Sequence, residues 1–317
     1  MKILVCGATG FIGRNIAETL AEDSSLEVYG THFNSGSLNN SKIKMIRADL
    51  TNKYDVINCI NGMDVVIQAA ATTTGSKDAL KRPEYHVTDN AVMNAYIFRI
   101  AHELKVSQVI FLSCTTMYRS SDFALVENDF DADEKINPRY FGGAWTKIYN
   151  EKMCEFYSRI GTTKFVVIRH SNIYGPYDKF DLENSHVFGA TINKVMNAVN
   201  GGSITVFGDG KAERDLLHVS DLVNFISLVI KKKDLPEYNI YNVGSGLHTS
   251  VTTLIEKIIK HSGKRISILY DNDKESIDTK VFLDIDKVKK EIGWEPKISL
   301  DEGIKSTLKW YGDNCKI

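Results

Sequence analysis

Three glycines stand at close spacing near the start of the chain, in Gly7-Ala8-Thr9-Gly10-Phe11-Ile12-Gly13. The apolar run Ile3-Leu4-Val5-Cys6 precedes them, and an amphipathic pattern on Ile12, Ile16 and Leu20 follows. A strand, a glycine-rich turn and a helix in that order make a cradle for a pyrophosphate. Gly7 permits the tight turn, Gly10 lets the backbone approach the phosphates, and Gly13 lets helix and strand pack closely. The helix N-terminus adds free N–H groups and the positive end of its dipole. The chemistry implied is the binding of a dinucleotide.

The elements that must position this turn alternate along the chain. Residues 2–6, 26–31, 43–48, 64–69, 108–113 and 164–169 read as short strands, with helical patterns between most of them. The strands are rich in Val and Ile with little polar alternation, which suits a parallel sheet covered on both faces. After Gly175-Pro176 the pattern changes to helices near 185–199, 219–232, 250–262 and 285–292, with a strand at Ser203–Phe207. Residues 1–180 therefore read as a dinucleotide-binding domain. Residues 181–317 read as a smaller, interwoven α/β lobe with a soft boundary.

The bulk numbers agree with an enzyme-sized core. The chain has 317 residues, 43% of them hydrophobic, and a formal net charge of −1, which argues against a nucleic-acid partner. Lys231-Lys232-Lys233 closes a helical pattern and reads as a solvated cap. The five cysteines are scattered, with no metal-ligand spacing, so neither disulfides nor a metal site is expected. The apolar runs are too short for a bilayer and no leader precedes the first strand, so a soluble cytoplasmic protein is expected.

Further strings follow in order. Asp49-Leu50 ends the third strand, Gln68-Ala69-Ala70-Ala71 follows the fourth, and Asn90 and Asn94 share the next helix. Then come Phe111–Tyr118, Trp145-Thr146-Lys147, Arg169-His170-Ser171-Asn172-Ile173-Tyr174-Gly175-Pro176, Gly208-Asp209-Gly210 and Arg214–Asp221. Tyr241-Asn242-Val243-Gly244 and Ile292-Gly293-Trp294-Glu295-Pro296 complete the series. Order and spacing closely resemble the extended short-chain dehydrogenase/reductases that act on nucleotide sugars. Asn184-Ser185-His186-Val187 most resembles the GDP-fucose synthase branch. The resemblance implies a Rossmann-type doubly wound parallel sheet with a smaller C-terminal substrate lobe. It also implies a homodimer through the helices near 84–105 and 138–160.

For the cofactor, the resemblance implies that Gly7, Gly10, Phe11, Ile12 and Gly13 hold the pyrophosphate. Asp49 would accept from the adenine amino group with Leu50 beside the ring; a helix cap is the alternative for Asp49. Ala69 and Ala71 are small where the backbone passes the ribose and nicotinamide. NAD sites commonly carry an acid after the second strand. Here the segment is Gly30-Thr31-His32-Phe33-Asn34-Ser35, with no acid and no Arg, and His32, Asn34 and Ser35 suit a 2′-phosphate. NADP is therefore favoured over NAD.

The proton-handling groups depart from the family pattern. That pattern has Ser or Thr four residues before the strand-end Tyr, and a Tyr four residues before the Lys. Lys147 is in place, but Cys114 and Gly143 occupy the other two positions. Loss of a positioned acid costs about 10²–10⁴ in rate. Tyr140 stands seven residues before Lys147, on the same face if the helix begins at Pro138; packing beside the strand ends is the alternative. Thr116 occupies the place of the family's epimerisation Cys, and Cys114 is either a substitute thiol or a small buried residue. His186 matches the family's ring-proton histidine.

On the substrate side, the resemblance places a nucleotide diphosphate sugar against Asn172, His186, Lys194 and Arg214. Arg suits phosphate geometry, with a salt bridge to Asp215 or Asp221 as its alternative. The implied reaction is NADPH reduction of a 4-keto sugar nucleotide, with or without epimerisation. A 4-epimerase or dehydratase that retains its cofactor is one rival. A catalytically quiet dinucleotide-binding protein is the other.

Overall fold

The computed structural model describes residues 1–72, 83–133, 136–182, 185–273 and 279–315. Its centre is a seven-stranded, wholly parallel sheet. In chain order the strands are β1 (Lys2–Cys6), β2 (Glu27–His32), β3 (Ile43–Arg47), β4 (Val65–Gln68), β5 (Gln108–Leu112) and β6 (Lys164–His170). The short β7 (Asn172–Tyr174), β8 (Ser203–Phe207), β9 (Glu213–Arg214) and β10 (Leu216–His218) follow, and then β11 (Tyr238–Val243). The order across the sheet is β11-β6-β5-β4-β1-β2-β3. The six strands read from sequence are each found within one residue at either end. Continuous burial explains the legibility of β4 and β5, in which every residue is buried.

Helices α1 (Phe11–Leu20), α2 (Lys53–Ile60), α3 (Thr88–Glu103) and α4 (Phe141–Ile160) lie within the first half. α5 (Val187–Asn197), α6 (Val219–Lys231), α7 (Val251–Ser262), α8 (Asp286–Ile292) and α9 (Leu300–Asn314) follow. α1 and α6 share one core with Ile110, Leu112, Val166 and Ile168 of the sheet. α2, α3 and Cys154 of α4 share the opposite core with Val109, Phe111, Phe165 and Val167. Strand alternation divides these residues between the faces. A third core joins α5, α7, α9 and β8. Small sheets order the second half: β10 on β7, β13 (Ser267–Asp271) on β8, and β9 between β12 (Thr249–Ser250) and β14 (Lys280–Val281).

Local signals explain several boundaries. Asn52 caps α2 by accepting from Tyr54 N at 2.9 Å, and Ser250 caps α7 through Thr253 N at 3.1 Å. Ser299 and Glu302 form a reciprocal cap on α9, a helix absent from the sequence reading. Both β11 and α6 lie beyond residue 180, yet they belong to the large sheet and its cover.

Candidate active site

The three loop glycines have different physical reasons. Gly7 has φ +72°, and a Cβ there would lie 2.7 Å from Ala70 Cα. A Cβ on Gly13 would lie 2.2 Å from the Gly7 carbonyl oxygen. Gly10 has φ −78°, and its nearest neighbour would be 3.4 Å away. The fold itself thus requires glycine at 7 and 13, whereas Gly10 keeps open the space before α1. That helix has no acidic residue in its first turn and no side-chain cap. Its N–H groups therefore suit a diphosphate, and the cradle fits the dinucleotide expected from sequence. Phe11 and Ile12 are half-buried and pack on the core beneath it.

The remaining cofactor candidates border this turn or the adjoining strand ends. The Thr9 and Ser35 hydroxyls are 2.6 Å apart, tying the glycine turn to the segment after β2. His32 Nδ1 donates to Ser35 O at 2.9 Å, while Asn34 is exposed. Asp49 is not a helix cap, a role that Asn52 takes. Its Oδ1 accepts from Thr51 N at 2.9 Å and Thr51 Oγ1 at 2.6 Å. Leu50 is buried, Ala69 half-buried and Ala71 exposed.

Lys147 reaches from α4 to the end of β5, where its Nζ donates to Leu112 O at 2.7 Å and lies 4.7 Å from the Phe111 ring. Burial lowers its pKa, against which Cys114 and Glu151 act. One turn earlier, a Cβ on Gly143 would meet nothing within 4 Å. Cys114 Sγ and Thr116 Oγ1 are 3.0 Å apart. Tyr140 corrects the expected helix start. Pro138–Tyr140 is a 3₁₀ turn and α4 begins at Phe141, so Tyr140 stands at the N-cap position, where it packs against Met117, Ala144 and Ile148. Proline at 138 suits that turn, because its missing N–H is no loss there.

Tyr118 is also committed elsewhere. Its hydroxyl donates to Asn242 Oδ1 at 2.9 Å and accepts from Arg169 Nη1 at 2.9 Å, and burial pushes its pKa up to about 12. Arg169 pairs with Glu151 at 2.6 Å, both almost wholly buried, and Ser113 Oγ donates to Glu151 at 2.5 Å. Ser113 therefore points away from Cys114, as alternation requires. This buried network carries no short-range sequence signature.

His186 stands at the N-terminus of α5 and is exposed; Asn184 of its motif lies outside the described residues. Asn172 Nδ2 donates to Asp215 O at 3.1 Å. Lys194, in the last turn of α5, donates to Thr205 O at 2.7 Å and lies over Phe207, so its ammonium is turned to β8. Among the described residues, Arg214 makes neither of the alternative salt bridges, to Asp215 or to Asp221. Its Nη1 donates to Glu213 O and Thr279 O, each at 2.7 Å, because Asp215 is held by Ser245 and Asp221 by the backbone of 297–298. His170 received no role from sequence. It ends β6, and its only signal was its place in the string before Asn172.

The family model described as "NAD dependent epimerase/dehydratase family" matches residues 3–244. The chain is 29% identical to a "Putative UDP-glucose 4-epimerase" of Methanocaldococcus jannaschii, covering 98% of this chain and 99% of that one. It is also 29% identical to the GDP-L-colitose synthase of Yersinia pseudotuberculosis, covering 98% of each. The solved UDP-glucose 4-epimerase of Thermotoga maritima shares the fold, with a TM-score of 0.87, 24% identity and complete coverage of both chains. With its sheet order, its glycine cradle and a family match across most of its length, the chain belongs to the NAD-dependent epimerase/dehydratase family.

Proposed function

We propose that the protein is a nicotinamide-dinucleotide-dependent oxidoreductase of nucleotide sugars, and specifically a 4-keto-sugar-nucleotide reductase. The observation that carries the reading is the placement of the Gly10 opening and Lys147 at the C-terminal edge of one parallel sheet. In open α/β sheets, that edge is where ligands bind. The bound dinucleotide supplies the hydride. The chain supplies the cradle at α1, the positive charge of Lys147 beside the reacting centre, and a diphosphate contact at Arg214. Asn172 and His186 lie toward the sugar. Cys114 and Thr116 are the groups available for proton removal beside the ketone.

NADP is the preferred form, because neither His32 nor Asn34 would repel a 2′-phosphate. A homodimer through α3 and α4 accords with the exposure of Tyr149, Phe156 and Ile160 on α4. Five free cysteines suit the reducing cytoplasm, and no helix among the described residues is long and apolar enough to cross a membrane. The Methanocaldococcus relative favours a second reading, a 4-epimerase with retained cofactor. A thermal-shift panel tests the assignment, with UDP-, GDP-, CDP- and dTDP-sugars each added beside NADPH or NADH. The expected result is stabilisation by one nucleotide class on top of a larger shift with NADPH than with NADH. A purified protein already carrying oxidised dinucleotide would favour the epimerase. Stabilisation by dinucleotide and by no nucleotide sugar would favour the quiet binding protein.

A further inference from the structure

Gly143 stands where its relatives carry a tyrosine, Tyr118 is bound into the Arg169 network, and Tyr140 is packed against Met117, Ala144 and Ile148. We infer that His170 is the group that exchanges a proton with the sugar oxygen at the reacting carbon. This rests on the nucleotide-sugar oxidoreductase reading above.

Register places His170 at the site. β5 and β6 pair in parallel with Leu112 opposite Ile168, and Ser113 N donates to Ile168 O at 2.8 Å. Two residues on, the same register sets Cys114 level with His170, just past the Leu112 carbonyl that holds Lys147. Alternation turns Arg169 toward Glu151 on α4 and His170 to the face of Ile168, the face that α1 covers. His170 therefore lies on the side of the sheet where the glycine cradle opens.

The ring is prepared for proton transfer. Its Nδ1 contacts Ser171 O at 2.8 Å, and a carbonyl only accepts, so Nδ1 carries the hydrogen. The lone pair is then on Nε2, which has no hydrogen-bond partner among the described residues. Burial lowers the pKa to about 4, helped by the nearby charges of Lys147 and His186. Among the described residues, Lys147 on α4 and His186 at the start of α5 are the titratable groups that act on it, with Cys114 level with it past the end of β5. At neutral pH the imidazole is thus an acceptor. In the oxidative direction the sugar O–H bond breaks as Nε2–H forms, and the hydrogen on the same carbon leaves as hydride to the oxidised dinucleotide. In the reductive direction the imidazolium returns its proton to the oxygen.

The test uses His170→Ala and His170→Asn in the full chain. Probes are UDP-glucose with oxidised dinucleotide and a GDP-linked 4-keto-6-deoxyhexose with NADPH. Hydride transfer is followed at 340 nm and binding by calorimetry. The expected result is a loss of about a hundredfold or more in hydride transfer, with dinucleotide and nucleotide-sugar affinities within about threefold of wild type. Added imidazole should restore turnover in His170→Ala but not in wild type, and Gly143→Tyr should restore it in the same background. A histidine signal of wild type, lost in His170→Asn, should titrate near pH 4 by NMR and move when the nucleotide sugar binds. Retained turnover in both variants would overturn the role of His170 and leave the enzyme reading standing. Absence of hydride transfer in wild type with every probe would overturn both.

Discussion

The ammonium of Lys147 donates to the carbonyl of Leu112 at 2.7 Å, two residues before Cys114 and one helical turn after Gly143. Lysine is thus already at the sheet edge, with open space where a tyrosine side chain would begin. Gly143→Tyr combined with Cys114→Ser is expected to raise reduction of a 4-keto sugar nucleotide, up to about tenfold, because a neutral histidine is a poor acid at pH 7. Steady-state assays with NADPH check this. A fall in turnover with unchanged dinucleotide affinity would show that the site has been rebuilt around the missing ring.

The glycine turn separates binding from folding. Gly10→Val is expected to leave the melting temperature within a few degrees and to abolish dinucleotide binding. Gly13→Ala is expected to lower stability, because its Cβ would overlap the Gly7 carbonyl. Calorimetric titration with NADPH and thermal melts of both variants distinguish these effects. Unchanged NADPH affinity in Gly10→Val would remove the basis of the cofactor assignment.

Arg214 is expected to act on substrate alone. Arg214→Ala removes a charge-assisted contact worth about 1.5–3 kcal/mol. Nucleotide-sugar affinity should therefore fall at least about tenfold with NADPH affinity retained. Equal loss of both ligands would indicate that the guanidinium's bonds to Glu213 O and Thr279 O serve folding.

Asp178 gives the chain a pH-dependent liability. One carboxyl oxygen is buried without a partner among the described residues, and burial raises its pKa to about 7. A carboxyl with a raised folded pKa favours the protonated folded state. Stability is therefore full below the ordinary aspartate pKa, near 4, and falls as pH rises through 7. Asp178→Asn is expected to melt a few degrees higher than wild type at pH 8 and about equally at pH 4. Thermal melts across that range check it, and parallel curves would refute the assignment.

Much of the architecture was legible because continuous Val and Ile runs admit few alternatives to buried parallel strands. The glycine turn was legible because two of its three glycines are required by local packing. Distant pairing was not legible. Arg169 and Glu151 meet across a strand and a helix, eighteen residues apart, with no spacing rule to link them. β11 returns to the sheet after a long excursion, which local periodicity does not register. The start of α4 was not legible because one 3₁₀ turn separates Pro138 from the helix proper. The placement of His170 level with Cys114 was not legible because it depends on register with β5, a tertiary fact.

Hydride transfer itself is the most direct test of the central claim. Enzyme loaded with NADPH is mixed in a single turnover with a GDP-linked 4-keto-6-deoxyhexose, and absorbance at 340 nm is followed. The expected result is a saturable loss of absorbance, absent when the sugar lacks its nucleotide and abolished by Gly10→Val. No absorbance change with this probe, and none with UDP-glucose and oxidised dinucleotide, would contradict it.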